Sequence, residues 1–281
     1  MLRFGLFGLH RGGYADPDLL ARRAAAAEAA GFESLWVGDH IAAPAAGSGG
    51  RTLDGPRMEA VVALTFMAAR TARVRLGAGV IVLPQRQPVV LAKQLATLDV
   101  LSGGRLIVGI GAGWLEPELA AAGVSMAERG ARTDEYLTVM RALWTGEPVS
   151  HKGRYVAFDQ IQGLPAPAQR PHPPIVVGGY APASYRRAVT LAAGWYGYSI
   201  DLDRTAAVLA DLRRAQERYP RPADLGELEI TVSPPPGPVD AATAERYAAL
   251  GVHRLVILPP SLEAPALDHL IESTAALIGR V

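Results

Sequence analysis

The sequence keeps returning to one unit: a short run of Val, Ile, Leu or Phe, a polar or glycine-rich turn, then an Ala- and Leu-rich stretch closed by glycine. Strand and helix patterns that alternate in this way predict βα units, because two parallel strands are joined only by a long crossover, usually a helix. The first unit is RFGLFGL followed by DPDLLARRAAAAEAAG, in which Asp16 suits an N-cap, Pro17 the first helical position and Gly31 the C-terminal stop. SLWVGDHI is the second strand, and VRLGAGVIVLP, RLIVGIGAGW, PIVVGG, WYGYSI, LEITVS and HRLVILPP continue the series. Helices are predicted between them, among them Met58 to Ala69, QPVVLAKQLATLDVLSGG and RTDEYLTVMRALWTG, whose Tyr136, Val139, Met140 and Leu143 share one face. The segment from Val149 to Pro174 breaks the theme, being proline-rich, and predicts a hairpin insertion followed by an extended loop. About eight βα units fit a TIM (β/α)8 barrel with insertions, occupying 1–281 as a single domain. An open doubly wound sheet of the same content is the alternative.

Composition narrows the chemistry. A formal net charge of +1 gives no one-sided field, so neither nucleic acid nor an anionic membrane is indicated, and a small-molecule partner is expected. The absence of cysteine excludes disulfides, thiolate nucleophiles and thiolate metal sites together. Six scattered histidines show no metal-ligand spacing, so no metal is expected. The apolar run before His10 and Arg11 is too short for a signal peptide, and no later run approaches a membrane span, which predicts a cytoplasmic protein.

In a barrel of this type the strand ends face one common mouth, where the chemistry is kept. That places Asp39 and His40 at the rim after strand two, His10 after strand one, Trp114 after strand four, Tyr180 after strand five, and Tyr198 with Ser199 after strand six. Two readings of the Asp39–His40 pair stand at this point. The pair caps and holds the following loop, or it serves a ligand, where an imidazole exchanges protons near neutral pH.

The stretch LGAGVIVLPQRQPVVLAKQLATLDVLSGGRLIVGIGAGW, with GFESLWVGDHI, RTDEYLTVMRALWTGEPVSHKGRYVAF and PIVVGGYAPASYRRAV, resembles the luciferase-like monooxygenase superfamily, and within it the branch that uses the deazaflavin coenzyme F420. The resemblance covers roughly two-thirds of the chain. It implies a TIM barrel that binds an isoalloxazine-like ring at its C-terminal mouth. It implies a non-prolyl cis peptide at Gly79–Val80 that backs the ring, and a phosphate-binding turn at Gly178 and Gly179 with Ser184 adding a hydroxyl. Gly111 and Ala112, in the turn after strand four, join the cofactor site. Flavin-using relatives often carry an arginine at the position of Ala112, so the alanine tilts the choice from FMN towards coenzyme F420.

By the same resemblance Asp39 and His40 approach the ring, with His40 in proton transfer. His10, Trp114, Tyr180 and Tyr198 line the substrate pocket, the two tyrosines serving as secondary proton donors. The sequence departs from the deazaflavin alcohol dehydrogenases in having Trp114 where they have glutamate, with Glu116 two residues on. Arg186 and Arg187 are candidates for the acidic tail of the deazaflavin. The leading expectation is hydride transfer between reduced F420 and an activated C=C, C=N or C=O group of a small molecule. The alternatives are an FMNH2-dependent two-component monooxygenase and a flavin-binding barrel without turnover. The apolar helix MEAVVALTFMAAR is read as core or subunit contact, and the resemblance favours a homodimer there.

Overall fold

The computed structural model describes residues 1–45, 53, 55–261 and 263–281. Most of the glycine-rich loop GSGGRTLDGP lies outside them. In chain order the elements are β1 (Arg3–Phe7), α1 (Pro17–Ala29), β2 (Ser34–Val37), α2 (Ala60–Ala68), β3 (Arg75–Ala78), β4 (Ile81–Val82), α3 (Pro88–Leu101), β5 (Leu106–Gly111), α4 (Glu116–Ala121) and α5 (Arg129–Leu143). They continue with β6 (Val149–Lys152), β7 (Ala157–Ile161), β8 (Ile175–Gly178), α6 (Pro182–Leu191), β9 (Gly194–Gly197), α7 (Leu202–Arg218), β10 (Glu229–Val232), α8 (Ala241–Ala249), β11 (Arg254–Ile257) and α9 (Ala264–Ala275).

The decisive pairing is between the first and last strands. β1 runs parallel to β11, with Arg3 opposite Arg254 and Leu6 opposite Ile257, and also parallel to β2. The ring then passes through β3, β5, β8, β9 and β10 back to β11, a closed barrel of 8 parallel strands, so the doubly wound alternative is excluded. The insertion forms the predicted hairpin: β6 and β7 pair antiparallel, outside the barrel. Helix α1 begins as the sequence predicts, with the Asp16 carboxylate accepting from the Leu19 N–H at 2.8 Å and Pro17 entering the first turn. The short helix α4 was not foreseen.

Inside the barrel, two layers of large side chains leave little room. At the base, Arg254 is fully buried and bonds Glu33 at 2.8 and 3.0 Å, the Thr231 hydroxyl at 3.0 Å, and Glu229, which Arg3 also pairs at 2.7 Å. A buried charge is tolerated only with such partners. Above it the Trp36 and Tyr196 rings stack at 5.4 Å, and the Tyr196 hydroxyl pairs with Ser233 Oγ at 2.7 Å. The Trp36 ring fixes the identity of residue 77, because a Cβ on Gly77 would lie 2.5 Å from it. Packing inside the barrel therefore sets both a sequence constraint and the floor of the mouth.

Candidate active site

Strand β2 ends at Val37, and the next three residues build one side of the mouth. Asp39 is buried, and its carboxylate accepts from the Val82 N–H at 3.0 Å and from Arg86 at 3.0 and 2.5 Å. Arg86 also pairs with Glu59 at 2.6 Å. Asp39 thus spends its acceptors on tying the end of β2 to β4 and the turn after it, and Arg86 in turn reaches Glu59 at the start of α2. The adjacent His40 side chain is 16% exposed, and its Nδ1 lies 2.9 Å from Glu118 Oε2. The other oxygen of Glu118 accepts from the Ile41 N–H at 2.6 Å and the Ala42 N–H at 3.2 Å. A carboxylate accepts only, so the imidazole donates from Nδ1, and Nε2 has no hydrogen-bond partner among the described residues. The half-exposed Trp114 meets the imidazole edge to face, 5.9 Å between ring centres.

Glu118 is the residue that sequence reasoning passed over in stopping at Glu116. Helix α4 turns Glu116 to solvent and buries Leu115, Glu118 and Leu119, an i, i+3, i+4 stripe that was available in the sequence. An acid in the first turn also suits the positive end of a helix.

The Gly79–Val80 peptide is cis. The Val80 side chain fills the space in front of two strand ends: a Cβ on Gly111 would lie 2.7 Å from Val80 Cγ2, and one on Gly178 would lie 2.9 Å from Val80 Cγ1. Those glycines are therefore explained by packing against Val80, and Gly178 is buried. Gly79, Ala112, Gly113 and Gly179 remain partly exposed at the mouth, a surface with no side chain longer than a methyl. Gly179 has φ +120°, and a Cβ there would meet Ser184 Oγ at 2.6 Å. Helix α6 begins at Pro182, which has no N–H, with no side-chain cap and no acid in its first turn; the Ser184 and Tyr185 N–H groups donate to the Ala181 carbonyl at 2.8 and 3.2 Å, which leaves the Ala183 N–H and the Ser184 hydroxyl to face an anion.

Three expectations need correction. His10 does not line an open pocket: it is fully buried, and its Nε2 accepts from the Gly38 N–H at 3.2 Å. Burial, with Arg11 and Arg57 nearby, lowers its pKa to about 3, so it is neutral at physiological pH. Tyr180 is a poor proton donor, since its hydroxyl donates to the Tyr198 carbonyl and accepts from the Tyr198 N–H, both at 2.8 Å, and burial pushes its pKa up to about 12. Tyr198 itself is exposed, its ring 5.5 Å from that of Phe7. Arg187 is buried against Asp134 at 2.6 Å, and Arg186 pairs with the same carboxylate at 3.1 Å, so both hold α6 to α5. Among the described residues, no helix is long and apolar enough to cross a membrane.

Comparison with known proteins agrees with this architecture. An uncharacterized protein of Mycobacterium tuberculosis is 32% identical over 269 residues, covering 91% of this chain and 92% of its own. The F420-dependent hydroxymycolic acid dehydrogenase of the same organism is 30% identical over 238 residues, 83% of this chain and 64% of that protein. An F420-dependent secondary alcohol dehydrogenase in complex with an F420–acetone adduct shares the fold with a TM-score of 0.79 at 18% identity, over 98% of this chain and 99% of that one. A monooxygenase from Streptomyces bottropensis does so with a TM-score of 0.77 at 23% identity, over 99% and 98%. The model of the luciferase-like monooxygenase family matches residues 2–257, and with the closed barrel in hand, this chain belongs to that family.

Proposed function

We propose that this protein is an F420-dependent oxidoreductase that transfers a hydride between the deazaflavin and an unsaturated or carbonyl-type small molecule. The observation that carries the reading is the His40–Glu118 pair at the barrel mouth, with an imidazole nitrogen left for a substrate. The residues fit a planar ring: Gly79, Val80 and Ala112 offer a flat backing, and Gly179, Ser184 and the start of α6 offer donors for a phosphate. Bound there, the deazaflavin supplies hydride chemistry at a ring carbon. The chain supplies the rest. Glu118 fixes the imidazole through Nδ1, His40 holds or accepts the substrate proton at Nε2, and Trp114 helps to keep water from that nitrogen. One relative and two structural neighbours are F420-dependent enzymes, which supports the choice of cofactor.

The flavin reading has its own support. A 4-hydroxyprotoasukamycin monooxygenase is 40% identical over 121 residues, 43% of this chain. Against it, Ala112 stands where flavin-using members often place a phosphate-binding arginine. Two copies of the chain are expected to pair through α2 and α3, where Val62, Val90 and Leu101 are exposed apolar residues. Spectral titration of the purified protein with oxidised F420 and, separately, FMN tests the assignment. Saturable binding of F420 at least about tenfold tighter than FMN supports it. Tight FMN binding with negligible F420 binding overturns it.

A further inference from the structure

Three described acids at the mouth are committed: Asp39 to Arg86 and the Val82 N–H, Glu59 to Arg86 and the Val62 N–H, and Glu118 to His40 and two backbone N–H groups. Arg11 has no such partner among the described residues. It follows β1, is half-buried, and lies over the Phe7 ring at 5.3 Å, with no ion pair to any described residue and its Nε buried without a hydrogen bond. A Cβ on Gly8 would meet that Nε at 3.1 Å, so glycine at 8 leaves the guanidinium room to lie against the strand end.

A second buried donor adjoins it in sequence. His10 is fully buried, and because its Nε2 accepts from Gly38, its proton sits on Nδ1, which has no acceptor among the described residues. Of the two, only Arg11 keeps surface that a ligand can reach, and a half-buried cation without an acceptor is costly unless a ligand brings one.

We infer that Arg11 anchors the carboxylate of a small monoanionic substrate, with the substrate's apolar body against the exposed Tyr198 ring. A guanidinium matches a planar carboxylate, and one guanidinium matches a single negative charge better than a phosphate dianion. The inference rests on the proposed oxidoreductase reading for its notion of a substrate, and its test needs no turnover.

The probes are crotonate, its neutral amide crotonamide, and inorganic phosphate, with binding measured by calorimetry on the full chain, with and without oxidised F420. The wild type is expected to bind crotonate at least tenfold more tightly than crotonamide or phosphate. Arg11→Met is expected to abolish the preference without changing F420 affinity, and Arg11→Lys to retain part of it. Equal binding of acid and amide by the wild type overturns the inference, as does a preference that survives in Arg11→Met, or tighter binding of phosphate. A fall in F420 affinity in Arg11→Met, without crotonate preference in the wild type, assigns the anion to the cofactor and likewise overturns it. Absent F420 binding with the crotonate preference intact removes the cofactor reading alone. Should Arg11→Met fail to fold, the acid–amide comparison and Arg11→Lys still decide.

Discussion

Replacing Glu118 by glutamine keeps the side-chain volume and removes the charge. In the native arrangement the carboxylate accepts from His40 Nδ1 at 2.9 Å and from the Ile41 and Ala42 N–H groups at 2.6 and 3.2 Å. A glutamine whose carbonyl serves the two backbone donors must turn its NH2 towards His40. That sets donor against donor unless the imidazole moves its proton to Nε2. A hydrogen bond to a charged group is worth about 1.5–3 kcal/mol. Solvent screening is slight here, because the His40 and Glu118 side chains are 16% and 2% exposed. A double-mutant cycle of Glu118→Gln and His40→Ala, read by urea unfolding, should therefore give a coupling of about 1.5–3 kcal/mol. Turnover of Glu118→Gln should fall by about tenfold or more, with KM changed less, since correct presentation of a general acid or base contributes about 100-fold or more. Nitrogen-15 NMR supplies a readout that packing alone would not move: the proton of neutral His40 is expected on Nδ1 in the wild type and on Nε2 in Glu118→Gln. A coupling below about 0.5 kcal/mol, together with unchanged turnover and an unchanged tautomer, would refute the reasoning.

Other consequences follow from the buried charges. The pKa of His10 is lowered from 6.5 to about 3, mainly by burial, so the unfolded chain binds a proton below pH 6.5 that the native state refuses. Its contribution is present above pH 6.5 and lost as pH falls, about 2 kcal/mol between pH 8 and pH 5, and urea unfolding of His10→Asn should lack that slope. At the base of the barrel, burial raises and the Arg254 hydrogen bond and charge lower the Glu33 carboxyl, which ends below its ordinary 4.5, and Glu229 behaves alike under Arg254 and Arg3. Arg254→Met should cost about 3–5 kcal/mol at pH 7. The stabilisation of these carboxylates is present above pH 4.5 and lost as pH falls, so the deficit should shrink by pH 4, and an equal deficit at both pH values counts against the network.

Much of the fold was legible because each βα unit carries its own signal. Asp16, Pro17 and Gly31 bracket α1 from local chemistry alone, and β6 and β7 fall within the stretch that breaks the pattern. Barrel closure was less local, resting on a count of units until β1 and β11 were seen to pair. The site was legible in part. Asp39 and His40 stand at the mouth, but only tertiary contacts reveal that Arg86 occupies the first and Glu118 orients the second. His10 was misplaced because strand-end position was taken to mean exposure, whereas the chain turns at Gly8, with φ +99°, and buries the imidazole under Gly38. Gly178 looked like a phosphate turn, yet its lack of a side chain answers to Val80, nearly a hundred residues away in sequence. Arg186 and Arg187 met their partner Asp134 on another helix, which no reading of their own helix reveals.

The most direct test of the central claim is a crystal structure of this protein with oxidised F420 bound. The account predicts the ring flat against Gly79–Val80, its phosphate at Gly179 and Ser184, and His40 Nε2 facing the space beside the ring's reactive carbon. A ring bound elsewhere, such as the outer groove lined by Trp144 and Leu164, or one that leaves His40 on its far side, would contradict it.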